Sequence, residues 1–400
     1  MEQNEERDMG YDFETIAKRE RMGSLKLAMT PEVLREKGLV SFAAGEMDFP
    51  TAPSLVEAVV RAAENGLFGF TLKDETYLSH VLWWMEKARN WQIRPEWVVT
   101  AYGTIFSVAT CIRAFVGRDE RVIVQPPFYS RYQQAADRLG RQTVYNPMVL
   151  EEGCYRMDLA GLERLMADPG NRMLILCNPH NPSGRVFTRQ ELAEVARLSA
   201  RYKTIVFSDE IFAEVIPGGR PVTPYASLAE GQRHAITCTS LGKAFNCTGM
   251  NLANVIIPDE DLRTRFQAQR DRDHYGSIDP GAYAAVTGAY SPEGFDWLQA
   301  MVRHVKECSD YVHGFMKERL WQFPVLPTEG GFVCWIDFGA LKKPAEELEG
   351  YLLEKALFHV DPGIGYGGQC GGFARMNLAS TRKQLKGAME RLEKVWGGGR

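Results

Sequence analysis

A lysine amine condenses readily with an aldehyde, and Lys243 stands just after an apolar run in Thr239-Ser240-Leu241-Gly242-Lys243. Similar runs lead into two other polar stretches, Asp209-Glu210 after 204–208 and Asn178-Pro-His-Asn181-Pro-Ser-Gly184 after 173–177. A third stretch, Tyr102-Gly103-Thr104, precedes a helical pattern, where free backbone N–H groups and the helix dipole favour an anion. Taken singly, these residues have ordinary uses: Asp209 as a helix N-cap, Asn181-Pro182 as a turn, Lys243 as a solvated charge. Brought together they would set an amine, a carboxylate, an amide and hydroxyls around one small molecule.

The elements that must bring them together are short apolar or β-branched runs at 121–125, 173–177, 204–208, 235–239 and 254–257. They lack strict alternation, which predicts strands buried on both faces. Helical patterns lie between them at 105–115, 132–139 and 188–202, the last opening on the capping box Thr188-Arg-Gln-Glu191. Strands alternating with helices imply a mostly parallel α/β sheet, and such sheets place ligands at the C-terminal ends of their strands. Beyond Ser291-Pro292 a long helix is expected toward Trp321, then strands near 331–337 and 373–377 and a charged helix from Thr381. The expected division is an N-terminal segment, 1–50, packing with a small α+β domain, 291–400, beside a large domain, 51–290.

Composition narrows the partners. Of 400 residues 45% are hydrophobic and 24% charged, and 47 basic against 51 acidic side chains give a net charge of −4 without a basic stripe. This speaks against nucleic acid and anionic membranes and for a small-molecule partner. The N-terminus is polar and mostly acidic, and no stretch is long and apolar enough to span a bilayer, so a cytoplasmic protein is expected. Eight scattered cysteines without a C-x-x-C pair read as buried free thiols, and the seven histidines lack metal-ligand spacing, so no metal is expected.

With Asn181-Pro-Ser-Gly184, Ser208-Asp209-Glu210, Ser240-x-x-Lys243 and Arg375 in this order, the chain resembles the fold type I pyridoxal 5′-phosphate (PLP) enzymes, the aspartate aminotransferase superfamily, over roughly 40–385. The resemblance implies that Lys243 holds the cofactor as a Schiff base and that Asp209 keeps the pyridine nitrogen protonated. It implies that Asn181 donates to the phenolic oxygen of the ring, that Phe128 stacks on the ring face and that Phe212 lies against the cofactor. Gly103, Thr104 and Ser240 would hold the phosphate, and Arg375 would take the substrate α-carboxylate as a bidentate pair. A homodimer is implied as well, each active site completed by the partner's region around Phe70.

Gly45-Glu46-Met47-Asp48-Phe49-Pro50, Phe68-Gly69-Phe70-Thr71 and Lys243-Ala-Phe245-Asn246 resemble the C–S lyases of the cystathionine β-lyase type, the MalY/PatB-like branch. Such an enzyme would use Lys243 to remove the Cα proton of a cysteine S-conjugate and release thiol, pyruvate and ammonia. Four positions depart from that pattern. Phe70 stands where a tyrosine is usual, Phe212 where tyrosine or histidine often occurs, Asn251 in place of a phosphate-binding arginine, and Ala43 in place of a tryptophan. The same cofactor contacts serve an aminotransferase or an oxidative deaminase or decarboxylase, and these readings stay open. A non-enzymatic regulator on this fold is disfavoured by the presence of both Lys243 and Asp209.

Overall fold

The computed structural model describes residues 10–367 and 370–398. Its strands are β1 (Val98–Ala101), β2 (Arg121–Val124), β3 (Gln142–Tyr145), β4 (Val149–Glu151), β5 (Cys154–Arg156), β6 (Asn171–Cys177), β7 (Ile205–Asp209), β8 (Ala235–Thr239), β9 (Ala253–Ile256), β10 (Val333–Asp337), β11 (Asp361–Pro362) and β12 (Phe373–Asn377). Seven of them form one sheet in the order β1-β9-β8-β7-β6-β2-β3. The run β8-β7-β6-β2-β3 is parallel throughout, whereas β9 is antiparallel to both β8 and β1. The expected strand at 254–257 is therefore present but reversed. The chain between β8 and β9 is taken up by the Leu241–Ala244 helix and a loop, leaving no long helix to carry a parallel crossover.

Side chains of the central strands alternate between two apolar layers. Leu174, Leu176 and Val206 join one cluster, while Met173, Ile175, Ile205 and Phe207 join the other. Both faces are thus buried, as the unalternating runs require, and each such aliphatic side chain contributes about 1.5–3 kcal/mol. The Gly103–Phe115 helix covers one face with Val108, Cys111, Ile112 and Phe115. The Arg189–Tyr202 helix, opened by the Thr188–Glu191 capping box, packs Leu192, Val195 and Leu198 against the other.

The long helix spans Pro292–Arg319 with Ser291 as its N-cap, and the last helix spans Arg382–Trp396 behind Thr381. Between them β10, β12 and β11 form a three-stranded antiparallel sheet. The N-terminal segment is stitched to this part of the chain: Phe42 N–H donates to His359 O, Asn377 N–H to Phe42 O, and Asp48 N–H to Ala379 O. A buried ion pair, Lys26 Nζ to Asp48 Oδ1 at 2.7 Å, ties two parts of this segment together.

Directly behind the strand end at Asp209, the Arg89 guanidinium contacts Glu210 and, at 3.4 Å, Glu214, with all three side chains buried. Glu210 also accepts from Ser208 Oγ at 2.8 Å and from Tyr225 N–H at 2.9 Å. Arg89→Ala would strand two buried carboxylates, and we expect a loss of roughly 3–5 kcal/mol. Chemical denaturation measures it; a loss below about 1 kcal/mol, the range of surface pairs, would contradict this role.

Candidate active site

The ends of three adjacent parallel strands define the floor of a cavity of about 400 Å³. Cys177 on β6, Asp209 on β7 and Cys238 on β8 stand side by side in register. Beyond β8, Ser240 caps the Leu241–Ala244 helix by accepting from Gly242 N–H at 3.1 Å and donates to Leu252 O at 2.7 Å. That short helix turns Lys243 into the cavity, where its Nζ donates to Gly45 O at 2.7 Å. A β-carbon at position 45 would lie 3.1 Å from that nitrogen, so glycine there leaves the amine its room.

Burial and the nearby Arg375 guanidinium hold the Lys243 amine down to about 8. Burial pushes the Asp209 carboxyl up to about 6, opposed by two hydrogen bonds to the charged form. These come from the Tyr132 hydroxyl, 2.5 Å from Oδ2, and from Ile211 N–H, 3.2 Å from Oδ1. The Phe212 ring closes the wall with its centroid 5.8 Å from Lys243 Nζ and meets Phe332 edge-on at 5.2 Å. Gly331, with φ of +81°, supports that ring closely: a β-carbon there would sit 3.4 Å from it.

On the opposite side Arg375 reaches in from β12. Its NH1 donates to Asn181 Oδ1 at 2.8 Å, while Nε and NH2 donate to Asp361 Oδ2 at 3.1 and 2.6 Å. Strand pairing sets Asp361 directly across from Arg375, and the Ala44 N–H donates to the same carboxylate oxygen at 3.1 Å. The guanidinium carbon stands 5.1 Å over the Tyr366 ring. One cation is thereby held in a fixed orientation by two strands, a loop and the N-terminal segment.

The far end of the cavity is the start of the Gly103–Phe115 helix, which no side chain caps. Gly103, with φ of +78°, opens this helix, and its start borders the cavity together with Thr104, Ser240, Thr248 and Asn251. At the rim Asn251 Nδ2 donates to the Tyr102 hydroxyl at 3.2 Å. Among the lining residues, Lys243 and Arg375 carry the cationic groups, so an anion at this end meets backbone amides and neutral donors. An amine, a facing carboxylate and a separate anion cradle together match what a phosphorylated pyridine bearing an aldehyde needs. Among the described residues no cluster of histidine, cysteine or carboxylate side chains is arranged to hold a metal ion.

The structure brings Gly103, Thr104, Asn181, Asp209, Phe212, Ser240, Lys243 and Arg375 to this one cavity. Two expected residues lie elsewhere. Phe128 is buried with its ring 6.2 Å from Tyr145, and the neighbouring Tyr129 and Tyr132 face the cavity instead. Phe70 is fully exposed, on a second depression of about 420 Å³ that meets the cavity at Tyr102 and Asn251. Sequence reasoning missed Tyr132, Asp361 and Tyr366; an aromatic at the start of a helix beside a strand end was the available signal for the first. Six of the eight cysteines are buried and all are free, with Cys154 and Cys247 half-buried. Among the described residues no helix is long and apolar enough to cross a membrane.

Comparison with known proteins gives the same picture from another side. A family model described as aminotransferase class I and II matches residues 37–392. Cystathionine beta-lyase PatB of Bacillus subtilis (strain 168) is 29% identical over 94% of this chain and 97% of its own length. Protein MalY of Escherichia coli (strain K12) is 28% identical over 94% and 96%. The crystal structure of cystalysin from Treponema denticola, which contains a pyridoxal 5′-phosphate cofactor, superposes with a TM-score of 0.93 at 29% identity, covering 97% of this chain and 99% of that one.

Proposed function

Since the chain belongs to the aminotransferase class I and II family, we propose that it is a PLP-dependent carbon–sulfur lyase that converts a cysteine S-conjugate and water to a thiol, pyruvate and ammonia. The observation that carries this reading is Lys243 Nζ, buried in the cavity with Asp209 and Arg375 on its walls. Similarity to PatB, whose name is that of a cystathionine lyase, and to cystalysin, which contains PLP, supports it.

When bound, the cofactor supplies a carbonyl carbon for amines and a conjugated ring that accepts the electron pair left at Cα. Lys243 anchors it and, once released by the incoming amino group, takes the Cα proton on Nζ in its neutral form, which a pKa near 8 makes available. Arg375, locked by Asp361 and Asn181, holds the substrate carboxylate and so fixes which bond at Cα faces the ring. Asp209 holds the proton of the ring nitrogen, and the Gly103 and Thr104 amides with Ser240 hold the phosphate.

The walls support the lyase over a dicarboxylate aminotransferase. Ile105, Phe106, Ile211, Phe212 and Leu252 make much of the lining apolar, and Arg375 is the sole guanidinium among the lining residues. A second carboxylate on the substrate would find no further guanidinium among this chain's lining residues, whereas a neutral sulfur substituent would be desolvated favourably. Incubating the purified protein with S-substituted cysteines, and separately with amino acids plus a 2-oxo acid, tests this. Thiol and pyruvate should appear without any oxo acid; amino-group transfer without thiol release, or oxygen uptake in its place, would overturn the reading.

Cofactor loading carries its own expectation. Only the neutral amine attacks an aldehyde, so the rate of PLP incorporation into the unloaded protein should rise with pH and level off above a midpoint near 8. A midpoint near that of an ordinary lysine, above 10, would contradict the buried placement of Lys243.

A second copy of the chain is part of the same reading. Leu67, Phe68, Phe70 and Leu72 expose a contiguous apolar stretch beside the cavity mouth, of a kind that marks an interface. Light scattering should give twice the mass of one chain, and the mass of a single chain would exclude a shared site.

A further inference from the structure

The Asp209 carboxylate has no cationic hydrogen-bond partner among the described residues. Lys243 Nζ is spent on Gly45 O, and the groups that bond to Asp209 are the Tyr132 hydroxyl and Ile211 N–H. Burial and the Glu210 charge oppose its ionisation, while the Lys243 amine favours it through space without a hydrogen bond. Cys177 and Cys238 stand on the flanking strands as buried thiols, kept protonated by burial and by the Asp209 charge, so they offer it no countercharge, and Glu210 follows it in the chain as a further negative charge. The hydrogen bonds that support the charge therefore both come from neutral donors.

Tyr132 is built to be one of them. It lies on the second position of the Arg131–Arg138 helix, buried, with its ring edge-on to Tyr129 at 5.7 Å and its hydroxyl 2.5 Å from Asp209 Oδ2. Burial drives the phenol well above its ordinary range, so the proton stays on Tyr132 and the hydrogen bond runs from tyrosine to carboxylate. The residue lines the cavity, yet the proposed reaction gives it no contact with substrate. It is a positioning residue.

We infer that Tyr132, through the hydrogen bond it donates to Asp209, keeps that carboxylate ionised and thereby keeps the proton on the ring nitrogen of the bound cofactor. The inference rests on the proposed pairing of Asp209 with that nitrogen. A donor to a carboxylate favours its charged form; without it the shared proton moves from the ring nitrogen toward Asp209, and electron withdrawal from Cα weakens. Tyr132→Phe keeps the buried ring and deletes only the donor. A hydrogen bond to a charged group corresponds to a roughly 10- to 100-fold loss of kcat with KM little changed, and to a rise of about one to two pH units in the Asp209 midpoint.

The test reads protonation directly. Wild-type and Tyr132→Phe protein are loaded with PLP labelled with nitrogen-15 in the ring, and the ring-nitrogen resonance is recorded by NMR. The expected result is a protonated-pyridine signal in the wild type that shifts toward the unprotonated position in the variant. Asp209→Asn serves as reference: if it shifts the signal and Tyr132→Phe does not, the role of Tyr132 is overturned while that of Asp209 stands. If neither shifts it, the pairing of Asp209 with the ring fails and takes the inference with it. Should Tyr132→Phe fold poorly, 3-fluorotyrosine at position 132, nearly the same shape with a more acidic phenol, should lower the Asp209 carboxyl midpoint in the unloaded protein, read by difference infrared spectroscopy. An unchanged or raised midpoint would overturn the inference.

Discussion

Lys243→Ala is expected to reduce turnover of a cysteine S-conjugate by roughly 10⁴-fold or more, since a positioned general base alone supplies about 10²–10⁴ and this amine also anchors the cofactor. Lys243 Nζ is the one amine among the residues lining the cavity, so no neighbour can take over. The buried floor of Asp209, Tyr132 and Cys177 does not depend on it, and the variant should fold. Truncation leaves a gap beside Gly45, whose missing side chain already makes room for the lysine. Small primary amines in the medium should therefore restore part of the activity, with efficiency following their basicity. Steady-state kinetics with and without added amine decide the matter; a variant within tenfold of the wild type would remove Lys243 from the chemistry.

Arg375→Ala is the second large effect. The guanidinium orients between Asp361 and Asn181 with both ends fixed, so little side-chain entropy is lost when a carboxylate arrives. Removing it deletes the proposed carboxylate partner and leaves Asp361 facing the same space with an unanswered negative charge. Losing one partner of such a pair costs about 2–5 kcal/mol, or roughly 30- to 5,000-fold in kcat/KM. The loss should fall mainly on KM, with PLP retained, because the phosphate cradle lies at the other end of the cavity. Arg375→Lys keeps the charge but not the planar fork and should recover only part of the loss. Loss of PLP with normal affinity for substrate would contradict the assignment.

Much of this site was legible because its residues follow the ends of strands that are apolar on both faces. Runs such as 173–177 and 235–239 can be read without a structure, and the residues after them, Asn181, Ser240 and Lys243, are placed by the rule that open α/β sheets bind ligands there. Strands β1 and β3 and the short β4, β5 and β11 were missed; β3, for one, lies at the sheet edge with half-exposed side chains, and such a strand need not be apolar on both faces. What stayed hidden depends on contacts far apart in the chain. Gly45 meets Lys243 across 198 residues and Ala44 meets Asp361 across 317, and no local pattern encodes either meeting. Phe128 shows the limit at short range. Ahead of the Arg131–Arg138 helix the chain turns so that Phe128 joins the apolar layer on one face of the sheet while Tyr129 and, within the helix, Tyr132 line the cavity. The expectation for Phe70 concerned a second chain, and within one chain that ring is left in solvent.

That Lys243 is the residue bearing the cofactor can be tested in one step. The PLP-loaded protein is reduced with borohydride, digested, and its peptides are weighed and sequenced by mass spectrometry. The pyridoxyl group should be found on the peptide containing Ser240-Leu241-Gly242-Lys243, and on Lys243 within it. A pyridoxyl group on any other lysine, or a loaded enzyme that turns over substrate yet yields no reducible adduct, would contradict the proposed chemistry at its centre.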